Sequence, residues 1–264
     1  MQAGVFADGR AARLAGVPEL DLQSITAADG RDLLAAAESD WSRPIPHCPA
    51  WDSAELIGHM GGILAWMATV VTTGERVSRR DRELPPADVG ELAAWYSAHL
   101  DRTLDILTST DPETETWTFS SRGDLRVGWW RRRLAVELAV HRWDAQHAAG
   151  LDGGSPPRPL DGEVAAAGIE EFLIEFLPGL LAQDTVDGLT GTLHLHATDG
   201  PSEWWIDLDA RADAVAVAGH AKADTAIRGT RSDLLLWLTN RDPSDPLEVL
   251  GRADVATNWA QLRR

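Results

Sequence analysis

The sequence lacks features that mark several common classes of protein. Its single cysteine, Cys48, cannot form an internal disulfide and excludes a metal site built from several cysteines. No run of about 18 uninterrupted apolar residues occurs, so we expect no membrane-spanning helix. The first 25 residues carry several charges and no apolar core segment, so we expect no secretory signal. A reducing, cytoplasmic location follows as the default expectation.

Basic side chains are also scarce. The 264 residues contain 24 Lys and Arg against 41 Asp and Glu, which gives a formal net charge of −17. Nucleic acids and anionic membrane surfaces are bound by basic patches. We therefore expect neither nucleic acid nor a membrane as a partner. The remaining composition, 44% hydrophobic and 25% charged, is typical of a globular protein with one large or two small domains.

A segment rich in Gly and Pro, residues 150–159, divides the chain into two predicted domains. Before it, helical spacing and possible capping boxes at Asp52/Glu55 and Asp88/Glu91 predict four helices. After it, helical and alternating patterns are mixed. The predicted helices span 27–40, 52–73, 88–107, 127–149, 161–181, 234–239 and 254–262, and the predicted strands span 191–197, 203–208, 214–217, 223–229 and 247–250. The predicted fold is a four-helix bundle over 1–150 and a small α+β domain over 160–264.

The fourth predicted helix carries the strongest chemical pattern. Glu137 and His141 are four residues apart and share one helical face, and Asp144 lies one turn further along. His59 stands on the second helix in an almost entirely apolar stretch, beside the poor helix formers Gly61 and Gly62. If the two helices face each other, three N and O donors meet, which suits a catalytic Zn²⁺ with one open position. The alternatives are a hydrogen-bonded core histidine and an ordinary Glu–His pair.

Other residues give weaker signals. Cys48 precedes a helix and is either a reactive thiol or a small buried one. His194 and His196 alternate on a predicted strand and share a face, which is either exposed or functional. The Arg131–Arg133 run either attracts an anionic substrate or forms a solvated surface. Arg228 follows a strand and Arg241 follows a helix, and either guanidinium could bind a carboxylate.

Four segments resemble the mycothiol-dependent maleylpyruvate isomerase family. The segment 48–59, CPAWDSAELIGH, is similar to its N-terminal signature, and 137–144, ELAVHRWD, to its second signature, E-x-x-x-H-R-W-D. The segments 193–200 and 227–238 resemble parts of its C-terminal domain. The resemblance implies a DinB-like metal-binding four-helix bundle followed by a small α+β domain of the sterol-carrier type.

The same resemblance implies a ligand set and a chemistry. Carried over by position, the divalent-metal ligands are His59, Glu137 and His141. Zinc is the usual metal of that family, and Ni²⁺, Co²⁺ or Fe²⁺ suit the same donors. A mycothiol-like thiol would bind as a metal-bound thiolate. It would either catalyse the cis-trans isomerisation of a small electrophile or be transferred to that electrophile. Asp144 would orient His141 or a metal-bound water, and Arg228, at the end of its strand, is the preferred group for holding an acidic substrate.

Two rival functions remain open from the sequence. One is a hydrolase or lyase that uses a metal-bound water on the same bundle. The other is a non-catalytic protein that binds a small apolar molecule, which the 12 Trp residues would suit. We expect a monomer or a weak homodimer.

Overall fold

The first half of the chain forms a four-helix bundle. The computed structural model describes residues 19–183, 188–211 and 216–262, and the predicted domain's residues 1–18 lie outside that description. The bundle helices are α1 (Glu19–Ala37), α2 (Ser53–Thr73), α3 (Leu92–Ser109) and α4 (Val127–Leu151). Helix α1 packs on α4, and α2 packs on α3. The helical N-terminal part of the predicted fold class is therefore confirmed.

The ends of these helices follow the predicted capping chemistry in part. Asp52 and Glu55 form a capping box at the start of α2, and Gly74 ends that helix with φ of 73°. Asp88 instead caps a short 3₁₀ turn, and α3 begins only after it. Helix α4 continues through Gly150, which was predicted to end it.

Helix α1 lies further towards the N-terminus than predicted. It covers Glu19–Ala37 and not 27–40. Its side chain at Leu22 already packs into a core shared with the second half of the chain. The helix therefore begins before the predicted residue 27, because tertiary packing stabilises its first turns.

The second half forms a mixed sheet covered by helices. One helical run comprises α5 (Gly162–Glu171), a π-helical turn (Phe172–Phe176) and α6 (Leu177–Gln183). The strands are β1 (Thr192–Ala197), β2 (Glu203–Asp207), β3 (Ala216–Ala218), β4 (Thr225–Gly229) and β5 (Glu248–Gly251), in the order β3-β2-β1-β4-β5. Helix α7 (Arg231–Leu238) joins β4 to β5, and α8 (Ala253–Asn258) follows β5. The predicted α+β part is confirmed, and residues 214–215 of the predicted third strand lie outside the described residues.

The two faces of the sheet differ sharply. Strand β1 pairs antiparallel with β2 and parallel with β4. Leu193 and Leu195 are buried in the core with Ile227 of β4. The alternate residues His194, His196 and Arg228 consequently project from the opposite face, because side chains alternate along a strand.

Helix α4 belongs to two hydrophobic cores. Leu134 and Leu138 pack in the core of the bundle. Val136 and Val140 pack in the second core, which includes the sheet and α7. Helix α4 is therefore enclosed on both sides, and its polar residues lie at the junction of the two halves.

Helix α2 is long and apolar enough, by length and composition, to cross a membrane. However, 72% of its most apolar window is buried inside the protein, as in the core helix of a folded domain.

Candidate metal centre

Helix α2 contributes His59 to a polar cluster inside the bundle. The capping box at Asp52 sets where this helix begins and so where His59 points. The imidazole packs against the ring of Trp51, with ring centroids 4.6 Å apart. The ring of His59 also meets that of His141 edge-on, at 5.5 Å.

Helix α4 contributes Glu137 and His141, one turn apart. Glu137 Oε1 lies 3.8 Å from His59 Nε2 and 3.9 Å from His141 Nε2. The three donor atoms lie within 4.8 Å of one another. The structure thus brings together the trio that the helix spacing singled out.

These distances fit a single divalent ion. Zinc binds imidazole nitrogen and carboxylate oxygen at about 2.0–2.2 Å, which in tetrahedral geometry puts neighbouring donors roughly 3.4 Å apart. The Glu137–His59 and Glu137–His141 separations of 3.8 and 3.9 Å need to shorten only slightly. Two neutral imidazoles and one carboxylate are also the donor types that Zn²⁺, Ni²⁺, Co²⁺ and Fe²⁺ accept.

A buried carboxylate holds His141 from behind. Asp144 Oδ2 lies 3.0 Å from His141 Nδ1, so Nε2 of that ring is left facing Glu137. The Arg241 guanidinium donates to both oxygens of Asp144, at 3.0 and 2.7 Å. Burial opposes ionisation of Asp144, but Arg241 and the His141 contact outweigh it, and the pKa of Asp144 falls well below its usual range. Asp144 is therefore an anion that fixes the orientation of His141.

A second guanidinium supports Glu137. Arg133 donates a hydrogen bond to Glu137 and lies 3.0 Å from Glu171. Burial works against the charge on Glu137, but Arg133 and His59 together hold the pKa of this carboxyl well below its usual range. Glu137 is thus ionised at neutral pH, as a metal ligand must be.

The pKa of Glu171 is shifted in the opposite direction to that of Glu137. Burial raises the pKa of Glu171 to about 7, although Arg133 opposes the shift. Glu171 ends α5 immediately before the π-helical turn, and π turns recur at functional sites. This carboxyl can gain or lose a proton near neutral pH.

Glu137 and His141 of this cluster line a cavity of about 480 Å³ between the two halves. This volume is within the usual range for small-molecule sites. Its polar walls include Glu137, His141, Arg133, Glu171 and Arg241. Its apolar walls are formed by residues of α4, of the α5–α6 run and of α7: Val136, Val140, Phe172, Phe176, Leu180 and Leu235.

Arg228 does not lie at this cavity, contrary to the preference expressed from the sequence. It is paired in the sheet with His196, on the face turned away from the core, and Nη1 donates to Glu248 at 2.7 Å. Arg241 lines the cavity instead, and its guanidinium is paired with Asp144. The sequence pattern indicated both arginines as candidates. The structure distinguishes them, because Arg228 projects from the sheet face that is turned away from the core whereas Arg241 lines the cavity.

Cys48 also lies near the cluster without being activated. Burial and the neighbouring Asp144 raise the pKa of the Cys48 thiol to about 11. The structure therefore favours the buried-thiol interpretation of this residue over the reactive one.

Two family models match the two halves of the chain. The mycothiol maleylpyruvate isomerase N-terminal domain matches residues 24–146, and the MDMPI C-terminal domain matches residues 163–258. The chain belongs to the mycothiol-dependent maleylpyruvate isomerase family. The predicted family, and with it the expectation of an enzyme, is confirmed.

Solved structures of the mycothiol-dependent maleylpyruvate isomerase share this fold. A histidine-to-alanine variant is 9% identical, with a TM-score of 0.61. A second structure of that isomerase is 12% identical, with a TM-score of 0.57. Each match covers 90% of this chain and 95% of the other. No curated protein sequence matches significantly.

Within this family member, the structure adds two groups that the sequence signatures did not single out. Glu171 lines the cavity from the end of α5, and a π turn follows it where the sequence predicted one regular helix. Arg133 is buried between two carboxylates, which a run of three arginines on the surface would not predict. The one sequence signal for such a group was a charged residue within an apolar stretch, because a buried charge needs a partner.

Proposed function

We propose that the chain is a divalent-metal-dependent enzyme that uses a low-molecular-weight thiol of the mycothiol type. Its substrate would be a small electrophile, which is either isomerised about a double bond or joined to the thiol sulfur. The observation that carries this proposal is the convergence of donor atoms of His59, Glu137 and His141 within 4.8 Å of one another, with Glu137 and His141 lining the cavity. Family membership supports a thiol-dependent isomerase.

His59, Glu137 and His141 would hold the metal. A bound divalent ion lowers the pKa of a thiol that coordinates it, which matters because a free thiol has a pKa near 8.5. The chain's own contribution is orientation. Asp144 accepts from His141 Nδ1 and keeps Nε2 directed at the site, and Arg241 holds Asp144 with two hydrogen bonds.

The cavity charges indicate what kind of electrophile fits. Its two guanidiniums, Arg133 and Arg241, are each already paired with carboxylates. Glu171 and Glu175 add two further carboxyl groups to the wall. We therefore propose a substrate with apolar character and at most one carboxylate, since a dianion would find no free cation among these groups.

The decisive experiment measures metal content and turnover together. Tag-free protein purified without added metal is compared with Glu137→Gln, His59→Asn and His141→Asn variants, using mass spectrometry of metals. His99→Ala is the matched control, because it removes an imidazole that belongs to none of the candidate metal groups in the described residues. We expect each trio variant to lose one metal equivalent per chain relative to the control.

Turnover then separates the candidate functions. A panel of small electrophiles is tested with and without mycothiol or a surrogate thiol. Thiol-dependent turnover that is lost in the trio variants supports the proposal. Metal-dependent turnover without thiol would indicate hydrolase or lyase chemistry, and ligand binding that is insensitive to chelators would indicate a binding protein. Unchanged metal content in all three variants would refute the metal site.

A further inference from the structure

A second group of metal-ligand side chains lies on the outward face of the C-terminal sheet. It consists of His194 and His196 of β1, Glu203 of β2 and His220, which follows β3. Their donor atoms all lie within 4.8 Å of one another. The group is separate from the bundle cavity, because the opposite face of β1 packs into the core.

Glu203 is the centre of this group. One of its oxygens lies 2.9 Å from His194 Nε2 and 2.7 Å from His220 Nδ1. The other lies 3.2 Å from His196 Nδ1. One carboxylate thus faces three imidazole nitrogens, each within hydrogen-bond distance.

The sheet builds this arrangement from its register. His196 lies directly opposite Glu203 in the antiparallel pair, and His194 is two residues back on the same face. The backbone N–H of Gly219 donates to the Glu203 carbonyl at 2.9 Å, which brings the next residue, His220, to the group. The ring centroids of His194 and His220 are 5.1 Å apart.

Burial in the group is uneven, in a way that suits metal entry. The His194 side chain is only 7% exposed, whereas that of His220 is 76% exposed. His194 is therefore a donor at the buried base of the group, and His220 is a donor at its solvent-exposed side. Opening the present N···O separations to roughly 3.4 Å, as a tetrahedral ion requires, needs only side-chain rotation.

We propose that His194, His196, Glu203 and His220 form a second, structural site for a divalent transition metal, with Zn²⁺ as the preferred ion. Four protein donors leave no open position, which is the arrangement of structural and not catalytic zinc. Three imidazoles and one carboxylate exclude a magnesium or calcium preference. The ion would tie β1, β2 and the segment after β3 together at one side of the sheet.

The test counts zinc on the full chain in a background that lacks the bundle site. Equilibrium dialysis against Zn²⁺ is followed by metal analysis of the Glu137→Gln/His141→Asn variant. We expect this variant to retain one zinc per chain. Adding His196→Ala and His220→Ala should reduce it to none, whereas adding His99→Ala should leave it unchanged. His220→Ala is the gentlest change, because that side chain is largely exposed and its loss should not impair folding.

Two independent readouts accompany the count. Cobalt(II) bound to the same background should give the visible absorption of a tetrahedral nitrogen–oxygen site, and this should vanish in the His196→Ala/His220→Ala variant. Zinc should raise the melting temperature of the Glu137→Gln/His141→Asn background. It should not raise that of the same background carrying His196→Ala and His220→Ala. A background variant that binds no zinc would reduce the cluster to a hydrogen-bonded network and overturn the proposal. Zinc that survives both histidine substitutions would also overturn it.

Failure here is distinguishable from failure of the bundle site. The parent should bind two zinc ions if both sites exist. If the trio variants lose all of their zinc, the bundle site is supported and the site in the sheet is refuted. If zinc is lost from the His196→Ala/His220→Ala variant and not from the trio variants, the site in the sheet is supported and the bundle site is not.

Discussion

The Asp144 carboxylate joins the metal-binding trio to the C-terminal half of the chain. It is fully buried, accepts from His141 on the same helix and binds Arg241 from beyond α7 through both oxygens. A buried anion of this kind is stable only while its cation partner remains. The orientation of His141 therefore depends on a residue about a hundred positions away in the sequence.

Arg241→Ala and Arg228→Ala should behave very differently. The first leaves Asp144 buried without its partner, so we expect about 3–5 kcal/mol of lost stability and about 10–100-fold weaker zinc binding. The second removes an exposed ion pair with Glu248 and should cost about 0–1 kcal/mol with unchanged zinc affinity. Urea denaturation and zinc competition with a chromophoric chelator measure both quantities. Arg241→Lys, which keeps the charge, provides a folded variant for the zinc measurement, and equal zinc affinities in the three variants would contradict the assignment.

Glu171 should make stability depend on pH. Its pKa is about 7 in the folded protein, against 4.5 as a reference, so the folded state binds the extra proton between these values. The stability that protonation contributes is complete below about pH 4.5 and is lost as pH rises towards about 7. Between about pH 5.5 and about pH 8 the parent should lose about 2 kcal/mol relative to Glu171→Gln. Urea denaturation of both proteins without metal checks this, and a constant difference would contradict the raised pKa.

Among the elements, α2 shows why glycine stands near His59. A Cβ at Gly61 would lie 2.1 Å from the ring of Trp95 on α3, which is held by a hydrogen bond from its Nε1 to Glu83. A Cβ at Gly62 would meet only the Glu83 carbonyl, at 3.4 Å. The close approach of α2 to α3 therefore requires glycine at position 61, and the metal-binding trio does not impose it.

Gly61→Ala and Gly62→Ala form a matched pair of tests for this packing. Gly61→Ala should destabilise the bundle by about 1–3 kcal/mol through overpacking. Gly62→Ala should be neutral or stabilising by up to about 1 kcal/mol, since alanine favours a helix and the contact is ordinary. Chemical denaturation with urea measures both changes. Equal effects of the two substitutions would show that the Trp95 contact does not limit this position.

At the scale of the whole molecule, α4 connects the two halves through its charged residues as well as its apolar ones. Arg142 is fully buried, and its Nε lies 2.9 Å from Asp29 of α1. Its Nη1 and Nη2 donate to the carbonyls of Arg158 and Pro159 in the segment that joins the halves. One guanidinium thus fixes both α1 and the connecting segment to α4.

Arg142→Ala should loosen that junction. It leaves Asp29 buried with only Arg158, which is 49% exposed, so we expect a loss of about 3–5 kcal/mol. Limited proteolysis should show faster cleavage within residues 152–160, and urea denaturation should give the energy. Arg158→Ala, as the control, should cost about 1 kcal/mol or less. A parent-like Arg142→Ala variant would show that the junction rests on apolar packing alone.

The sequence by itself determined the local features of this protein. The four-residue spacing of Glu137 and His141, the capping box at Asp52 and the alternation of Leu193 to Ala197 each depend on residues close in the chain. Such patterns predict helices, strands and the faces of their side chains, because one turn or one strand period sets them. The resemblance of the two signature segments added the family.

Only the tertiary structure decided how those faces meet. It placed His59 beside Glu137, directed Arg241 and not Arg228 to the cavity, and gathered His194, His196, Glu203 and His220 on one face of the sheet. It also placed the ends of α1 and α4 and the π turn at Phe172–Phe176. These outcomes depend on which surfaces pack together over long sequence separations, and that competition overrides the local preference of each segment.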